Sequence, residues 1–330
     1  MTVAGPRDEP VAGSPAPANA AQDLARRVRD SVQQVIVGRD RAIHLALAAL
    51  LSRGHALIED VPGTGKTTLA KALAWSLGCD FRRIQFTPDL MPADVLGVNF
   101  FNMQRGEFEF RPGPIFSQVL LADEINRATP RTQSALLEAM QERQASIDGV
   151  THALPEPFLV MATLNPIEME GTFPLPEAQL DRFLLRLSLG YPARDEEAQM
   201  LERFRGGPDV RPLPPVTGPH EIAGAWAAVD SVRLEAPTRE YLLNITAATR
   251  SHPDLRLGAS PRASLALQRA AQAWAAMNGR AYILPDDVKT LAAPVLAHRV
   301  IVSSQARLRG ATAARIIDGV VAAAPVPIER

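Results

Sequence analysis

Apolar residues recur at helical spacing in two regions near the start of the chain, residues 23–35 and 40–51. The pattern breaks at Val37 and Gly38, and Gly54 closes the second region. We therefore predict two helices ahead of the first strand. Residues 1–20 are rich in Pro, Ala and Gly and have no repeating apolar face. Ordering them would cost entropy without burying apolar surface, so we expect a disordered tail.

Farther along the chain, short apolar runs alternate with helical segments. Four runs have strand character, and they cover residues 55–58, 81–86, 119–122 and 158–163. A helix is expected over residues 66–77, ended by Gly78, and another after Thr129, where Pro130 takes the first helical position. Strands that alternate with helices are typical of a parallel sheet, so this part of the chain is predicted to be an α/β domain.

A change of composition divides the chain into two parts. Residues 206–219 are rich in Gly and Pro, as a surface linker would be, and the pattern after Thr238 is almost wholly helical. We predict an α/β core over residues 21–190, a linker with the start of a second domain over 191–219, and a helical domain over 220–330. No internal repeat is evident in the sequence.

Composition and charge restrict the possible classes of protein. The chain has 330 residues, 46% of them hydrophobic and 22% charged, which is typical of a globular protein with two cores. Its formal net charge of -1 gives no electrostatic footprint for nucleic acid. A single cysteine, Cys79, fits a reducing compartment. No apolar run approaches the roughly 20 residues of a membrane span, and no signal peptide is evident, so we expect a cytoplasmic protein.

A phosphate-binding loop is predicted at residues 60–67, Asp-Val-Pro-Gly-Thr-Gly-Lys-Thr, between a strand and a helix. Glycines let the backbone N–H groups approach phosphate oxygens, which the positive end of the helix also attracts. Lys66 should reach the β- and γ-phosphates of ATP, and the Thr67 hydroxyl should ligate Mg²⁺. The general pattern begins with Gly, whereas this chain has Asp60. The predicted nucleotide-binding residues of the loop are Pro62, Gly63, Thr64, Gly65, Lys66, Thr67 and Thr68.

Polar side chains end two of the predicted strands. The run over residues 119–122 leads into Asp123 and Glu124, about 55 residues after the phosphate loop. We expect Asp123 to hold Mg²⁺ through water and Glu124 to orient and deprotonate the attacking water. The next run ends at Asn165, which could hold that water or the γ-phosphate. Alternatively, Asn165 merely starts the turn before Pro166.

These motifs, in this order, resemble the AAA+ ATPases. The string Leu-Leu-Glu-Ala-Met-Gln-Glu-Arg at residues 136–143 and the string ending Leu-Asp-Arg-Phe at residues 171–183 resemble the MoxR group in particular. The resemblance covers roughly residues 25–310. It implies an ATPase with a five-stranded parallel sheet sandwiched by helices, followed by an all-α lid domain.

The resemblance also implies roles for residues outside the phosphate loop. Asp123 and Glu124 match the second nucleotide motif, Asn165 the first sensor, and the turn at Val37 and Gly38 the adenine side of the site. Arg182 corresponds to the arginine finger that a subunit points into its neighbour's site, and Arg262 to the second sensor, which contacts the γ-phosphate from the lid. In the alternatives, Arg182 pairs locally with Asp181 or Glu177, and Arg262 is a solvated residue of a first helical turn.

Two hairpin insertions are predicted, near residues 97–112 and 144–157. The first carries Phe100, Phe101, Phe108 and Phe110, and the second has an Asp-Gly centre typical of a tight turn. These insertions resemble those of the wider clade that also contains magnesium chelatase subunits and replicative helicases. In that clade they lie on the ring face or in the pore and transmit the nucleotide state to the substrate. Packing in the core is the alternative explanation for at least half of the phenylalanines.

The resemblance favours a chaperone-like ATPase that remodels or activates client proteins. It implies a ring, expected to be a hexamer, a partner with a von Willebrand factor A domain, and help with complex maturation or metal insertion. The sequence identifies no client. A nucleic-acid motor would share the ATP site, but the net charge and the lack of helix-turn-helix or zinc-finger spacing argue against specific nucleic-acid binding. A third possibility is a scaffold that binds ATP without turnover, which the presence of Glu124, Asn165 and Arg182 disfavours.

Overall fold

The structure is a computed structural model, and it describes residues 17–164, 171–203 and 212–327. The strands, in chain order, are β1 (Ala56–Glu59), β2 (Phe81–Gln85), β3 (Gly97–Asn102), β4 (Glu107–Pro112), β5 (Val119–Asp123), β6 (Gln144–Ile147), β7 (Val150–Ala153), β8 (Leu159–Leu164), β9 (Leu185–Leu187), β10 (Leu255–Leu257) and β11 (Ile301–Val302). The α-helices are α1 (Pro17–Val32), α2 (Asp40–Leu51), α3 (Lys66–Ser76), α4 (Pro92–Leu96), α5 (Pro130–Glu142), α6 (Glu177–Leu180), α7 (Arg194–Arg203), α8 (Pro219–Asp230), α9 (Ala236–Arg250), α10 (Pro261–Met277), α11 (Pro285–Leu296), α12 (Ser304–Leu308) and α13 (Ala313–Ala323).

A parallel sheet of five strands lies at the centre of the fold, in the spatial order β2-β5-β8-β1-β9. Strands β5 and β8 are buried along nearly their whole length, which explains their continuous apolar sequences. The carboxyl ends of β1, β5 and β8 therefore meet at one edge of the sheet. The predicted α/β fold with a five-stranded parallel sheet is confirmed.

Alternate residues of the buried strands face two different hydrophobic cores. Ile58, Leu121 and Met161 pack on one face with helices α1 to α3, whereas Leu57 and Leu120 pack on the other face with helix α5. The sheet is therefore covered by helices on both sides. This arrangement keeps the apolar strands out of water and leaves only their polar ends at the edges.

The first of these cores continues into the C-terminal helices without a break. Helix α1 packs against α8 and α10, and the same cluster of buried residues extends to α11 and α13. The C-terminal part is mostly helical, as the lid resemblance implied, and it also holds a small antiparallel pair formed by β10 and β11. The N-terminal helix is thus part of the packing of the lid.

The structure places antiparallel hairpins at both predicted insertions, β3 with β4 and β6 with β7. Phe100, Phe101 and Phe108 are exposed near the tip of the first hairpin, and the rings of Phe101 and Phe108 meet edge to face at 5.3 Å. Phe110 instead stacks on His152 of the second hairpin at 4.1 Å. Phe110 is therefore half-buried between the two hairpins, and none of the four phenylalanines belongs to either hydrophobic core.

Some element boundaries differ from the sequence prediction. Helix α1 begins at Pro17, within the predicted tail, because Ala21 and Leu24 bury against the core and stabilise the preceding turn. Residues 194–203, predicted as linker, form helix α7. Among the described residues, no helix is both long and apolar enough to cross a bilayer.

Candidate functional site

The loop between β1 and α3 has the backbone of a phosphate-binding loop. Gly63 and Gly65 have φ of 84° and 93°, in the left-handed region that side chains disfavour. A Cβ built on either residue would meet nothing within 4 Å. The glycines are therefore required by backbone conformation, and they leave open space beside the loop.

The first turn of α3 faces that space. Its N-cap, Gly65, has no side chain to accept hydrogen bonds, so no side chain caps the amides of Lys66, Thr67 and Thr68. Free amides at a helix N-terminus favour an anion such as a phosphate. The Lys66 ammonium donates to the carbonyl oxygens of Asp60 at 2.9 Å and Val61 at 3.2 Å. It therefore lies folded over the loop, within reach of the same space.

Two further predicted residues lie on the loop itself. The Thr64 hydroxyl donates to the Val61 carbonyl at 3.2 Å, which closes the turn, and Pro62 is exposed at its outer side. The turn at Val37 and Gly38 precedes α2. Gly38 has φ of 67°, and a Cβ there would overlap the Glu196 carboxylate. The backbone conformation therefore favours glycine, and a side chain there would also displace the Glu196 carboxylate.

The acid pair lies at the carboxyl end of β5. Asp123 is buried, and Glu124 follows it in the left-handed region with φ of 55°. The Thr163 hydroxyl, on the neighbouring strand β8, donates to Asp123 Oδ1 at 2.6 Å and accepts from the Glu124 amide at 2.8 Å. One hydroxyl therefore sets the positions of both acids. Asn165, two residues later, lies outside the described residues.

Side chains from β2 and from the 3-10 turn Ile125–Arg127, which directly follows Glu124, contact the acid pair. Arg83 donates to Asp123 Oδ2 through Nη2 at 2.6 Å and Nε at 3.2 Å. Glu124 Oε2 accepts from Gln85 at 2.8 Å and from Arg127 at 3.1 Å. These donors occupy Oδ2 of Asp123 and Oε2 of Glu124, oxygens that a metal or a water could otherwise contact.

The oxygen donors near the loop suit a magnesium ion. Mg²⁺ in nucleotide sites is usually held by one or two carboxylates or hydroxyls together with substrate phosphates. The Thr67 hydroxyl at the start of α3 and the buried Asp123 carboxylate at the end of β5 are donors of this kind. The described residues contain no group of three or more His, Cys, Asp and Glu side chains that could hold a metal alone.

Arg182 and Arg262 lie together at the opposite edge of the sheet. The Leu184 amide donates to the His55 carbonyl at 2.9 Å, which places Arg182 beside the amino end of β1. Arg262, in the first turn of α10, approaches Asp181 at 3.9 Å. Both arginines line a cleft of about 420 Å³. Arginine dominates that cleft, whose basic lining residues are Arg53, Arg143, Arg182, Arg262, Arg269 and Arg299.

Asp181 is paired with residues other than Arg182. Arg299 donates to Asp181 Oδ1 at 2.6 Å and also binds the backbone carbonyls of Phe183 and Leu184. Burial lowers the pKa of the Arg299 guanidinium, and the Asp181 carboxylate opposes that effect. The alternative in which Arg182 pairs with Asp181 therefore does not apply in this structure, where Asp181 forms a buried pair with Arg299. Asp181 also supplies the anion that a cation at the N-terminus of α10 requires.

The phosphate loop and the arginine cleft are separated by the length of β1. Four strand residues span about 13 Å, at about 3.3 Å per residue. Lys66 lies at the carboxyl edge of the sheet and Arg262 at the amino edge. The packing of α10 against α1 and α2 therefore places Arg262 on the far side of the sheet from Lys66, and its contact with a γ-phosphate stays a prediction.

Several of these contacts were missed in the sequence. Arg83 and Gln85 are two positions apart on β2, and Thr163 is two positions after Met161 on β8, so a period of two predicts which side chains share a face of each strand. That period of two, next to the acid pair, is the signal that could have found them. Arg299 carries no local signal, because its partners Asp181, Phe183 and Leu184 lie 115 to 118 residues away.

Comparisons with known proteins show the family to which the chain is similar. Residues 55–185 match the model for the ATPase family associated with various cellular activities (AAA), and residues 247–320 match the AAA lid domain. The chain is 42% identical to Chaperone MoxR1 of Mycobacterium tuberculosis, covering 88% of this chain and 81% of that protein. It is 48% identical to the uncharacterized protein YeaC of Bacillus subtilis, covering 93% and 96%. A crystal structure of a candidate ATPase from Cytophaga hutchinsonii superposes with a TM-score of 0.87 at 35% identity, covering 94% and 97%.

Proposed function

Because the chain belongs to the MoxR family of AAA+ ATPases, we propose that it hydrolyses ATP to ADP and phosphate and uses the energy to remodel or activate client proteins. The observation that carries this proposal is the division of the site between two edges of the sheet. The phosphate loop and the acid pair lie at one edge, and the arginines lie at the other. A complete site then needs two copies of the chain, as in a ring.

The phosphate loop binds the triphosphate in this proposal. Lys66 exchanges its bonds to the Asp60 and Val61 carbonyls for bonds to the β- and γ-phosphate oxygens, and the uncapped amides of α3 donate to the same group. Thr67 and Asp123 would hold Mg²⁺, which offsets negative charge on the phosphate oxygens. For this, Asp123 exchanges the Arg83 guanidinium for the metal.

Glu124 acts as the general base. Its carboxylate leaves Gln85 and Arg127, accepts a hydrogen bond from the attacking water, and takes that proton as the water oxygen attacks the γ-phosphorus. The bond from phosphorus to the β,γ-bridging oxygen breaks, and ADP leaves. Asn165 is proposed to hold the same water.

Arg182 and Arg262 serve the site of the adjacent subunit. A guanidinium offers a fixed fork of donors to the charge that develops on the transferred phosphoryl group. Both arginines lie on one accessible cleft, with Arg262 about half exposed, so one neighbour could meet both of them. We propose a ring, with a hexamer as the expected size.

Client and location are extensions of the same proposal. The MoxR resemblance supports a von Willebrand factor A domain partner and a role in complex maturation or metal insertion, and the name of MoxR1 supports chaperone activity. The exposed phenylalanines of the first hairpin are the proposed contact surface for a client. The single cysteine supports a reducing, cytoplasmic location.

Mixing two inactive variants tests the shared site. Arg182→Ala should bind ATP but lose about 10³-fold or more in turnover, because an arginine finger contributes about 10³ to 10⁵. Glu124→Gln should be similarly inactive. Mixed rings join an intact Glu124 to an intact Arg182 at some interfaces, so turnover should reappear in the mixture. Arg239→Ala, an exposed arginine of α9, is the matched control and should keep wild-type activity.

Protein concentration supplies the second arm of the test. Specific activity should rise with concentration as rings assemble. Full activity from a strictly monomeric wild-type protein, or an Arg182→Ala variant with unchanged turnover, would overturn the shared site.

A further inference from the structure

Asp60 stands where the general phosphate-loop pattern has glycine, and its carboxylate is buried. Oδ1 accepts from the Val61 amide at 3.0 Å. Oδ2 accepts from the amides of Leu189 at 2.6 Å and Gly190 at 2.8 Å, and from the Ser188 hydroxyl at 3.2 Å. Four donors thus bind the Asp60 carboxylate, although the general phosphate-loop pattern has no side chain at this position.

An acid at this place needs an explanation, because a carboxylate near a phosphate site repels the ligand. A buried charge is tolerated when hydrogen bonds satisfy it, and here they do so fully. The donors come from the loop itself and from residues 188–190, which follow β9. The carboxylate therefore joins two segments that a glycine would leave unconnected.

One end of this connection is the turn that holds Lys66. The Asp60 side chain fixes the backbone at residues 60 and 61 by binding the amide between them. The carbonyl oxygens of the same two residues accept from the Lys66 ammonium. The orientation of the acceptors for Lys66 thus depends on the bonds of the Asp60 carboxylate.

The other end is the turn at Gly38. The Gly190 carbonyl, one peptide from the Asp60 contact, accepts from Arg39 Nη2 at 3.2 Å. Arg39 Nη1 also binds Glu196 at 3.2 Å, and the Glu196 carboxylate fills the space beside Gly38. Direct contacts therefore run from the phosphate loop through residues 188–190 and Arg39 to the turn on the opposite side of the proposed nucleotide site.

We propose that Asp60 is a positioning residue that couples the phosphate loop to the Gly38 turn, so that ADP or ATP bound at one end orders the other. This inference rests on the proposed nucleotide site. The carboxylate touches no substrate atom and acts through Lys66 on one side and Arg39 on the other. Loss of Asp60 should therefore weaken nucleotide binding without removing any group that contacts the nucleotide.

A double-mutant cycle on the full chain tests the coupling. We expect Asp60→Asn and Arg39→Gln each to weaken binding of a fluorescent ADP analogue roughly tenfold, since each removes charge-assisted hydrogen bonds along one path. The double variant should then be roughly tenfold weaker, and not a hundredfold, because the second change interrupts a path that is already broken. Asp254→Asn, which disrupts a surface pair with Arg309, is the control and should leave ADP binding unchanged.

Thermal unfolding of the ligand-free proteins separates positioning from stability. A purely structural Asp60 would lower the melting temperature and leave the dissociation constant unchanged in protein that remains folded. That result, or a hundredfold loss in the double variant, would overturn the proposal. Asp60→Gly, which restores the general pattern, is the second variant and should also bind ADP about tenfold more weakly.

Hydrogen exchange on the wild-type protein needs no variant. ADP should slow exchange of the amides in residues 188–196 as well as those of the phosphate loop. Protection of the loop alone would overturn the coupling. If the wild-type protein binds ADP but does not hydrolyse ATP, the proposed ATPase activity is refuted, and the double-mutant cycle still tests the coupling through Asp60. If the wild-type protein does not bind ADP, the ATPase activity and the coupling are both refuted.

Discussion

Arg299 should be among the most costly side chains in the chain to remove. It is 7% exposed, and its guanidinium donates to Asp181 and to the carbonyls of Phe183, Leu184 and Val295. Breaking a buried ion pair by removing one partner costs about 3–5 kcal/mol. Among the described residues, the cation that then remains paired with Asp181 is Arg262, at 3.9 Å. Methionine can refill part of the volume, so we expect Arg299→Met to lower the free energy of unfolding by about 3 kcal/mol.

A surface pair provides the matched control. Arg309 binds Asp254 at 2.5 Å, but these side chains are 64% and 32% exposed, so Arg309→Met should cost less than about 1 kcal/mol. Urea denaturation of both variants without nucleotide measures the difference. Equal losses in the two variants would refute the argument from burial. Adding Asp181→Asn to Arg299→Met should cost less than the sum of the single changes, because the two groups stabilise each other.

The remaining predictions concern chemistry, pH and reactivity. Glu124→Gln should keep ATP binding and lose hydrolysis, because an amide cannot accept the proton of the water. Lys66→Ala should instead weaken ATP binding. Binding and turnover assays on each variant distinguish the two effects. Burial lowers the pKa of His55 to about 3, and its Nδ1 accepts from the Val160 amide, so the folded protein keeps the ring neutral. The unfolded chain protonates His55 below its ordinary pKa of 6.5, so stability should fall as the pH drops from 6.5 toward 3, by about 1.4 kcal/mol per pH unit from this group. The slope of unfolding free energy against pH should be smaller in His55→Gln, and an unchanged slope would contradict the assignment. Burial raises the pKa of the Cys79 thiol to about 12, so a thiol reagent at pH 8 should label it only after unfolding; rapid labelling of the native protein would show that the site opens.

The central strands could be predicted from sequence because they are buried on both faces. Strands β5 and β8 are continuous apolar runs, and their observed bounds differ from the predicted ones by one residue. The strand β9 was not identified from its own pattern. It has three residues with Arg186 in the middle, and so short a run is indistinguishable from a loop. Only the family resemblance supplied the fifth strand.

The positions of the candidate site residues were less accessible to sequence reasoning. The phosphate loop and the acid pair are local motifs, and the parallel topology brings them to one edge. The location of Arg262 depends on how α10 packs against distant helices, which no local spacing encodes. The hydrogen bonds of the Asp60 carboxylate could not be predicted for the same reason, because its partners at residues 188–190 lie about 130 positions away.

The packing of helix α1 has a consequence for the order in which the protein folds during synthesis. Its apolar residues Leu24 and Val28 bury against helices of the lid, and α8 begins 187 residues after α1 ends, at Pro219 against Val32. Ribosomes add about 5–20 residues per second, so this apolar face waits roughly 10–40 s for its partner. During that interval the apolar face of α1 stays exposed to solvent while the strands of the sheet are being synthesised. The core on this side of the sheet is therefore completed only when the last third of the chain has been made.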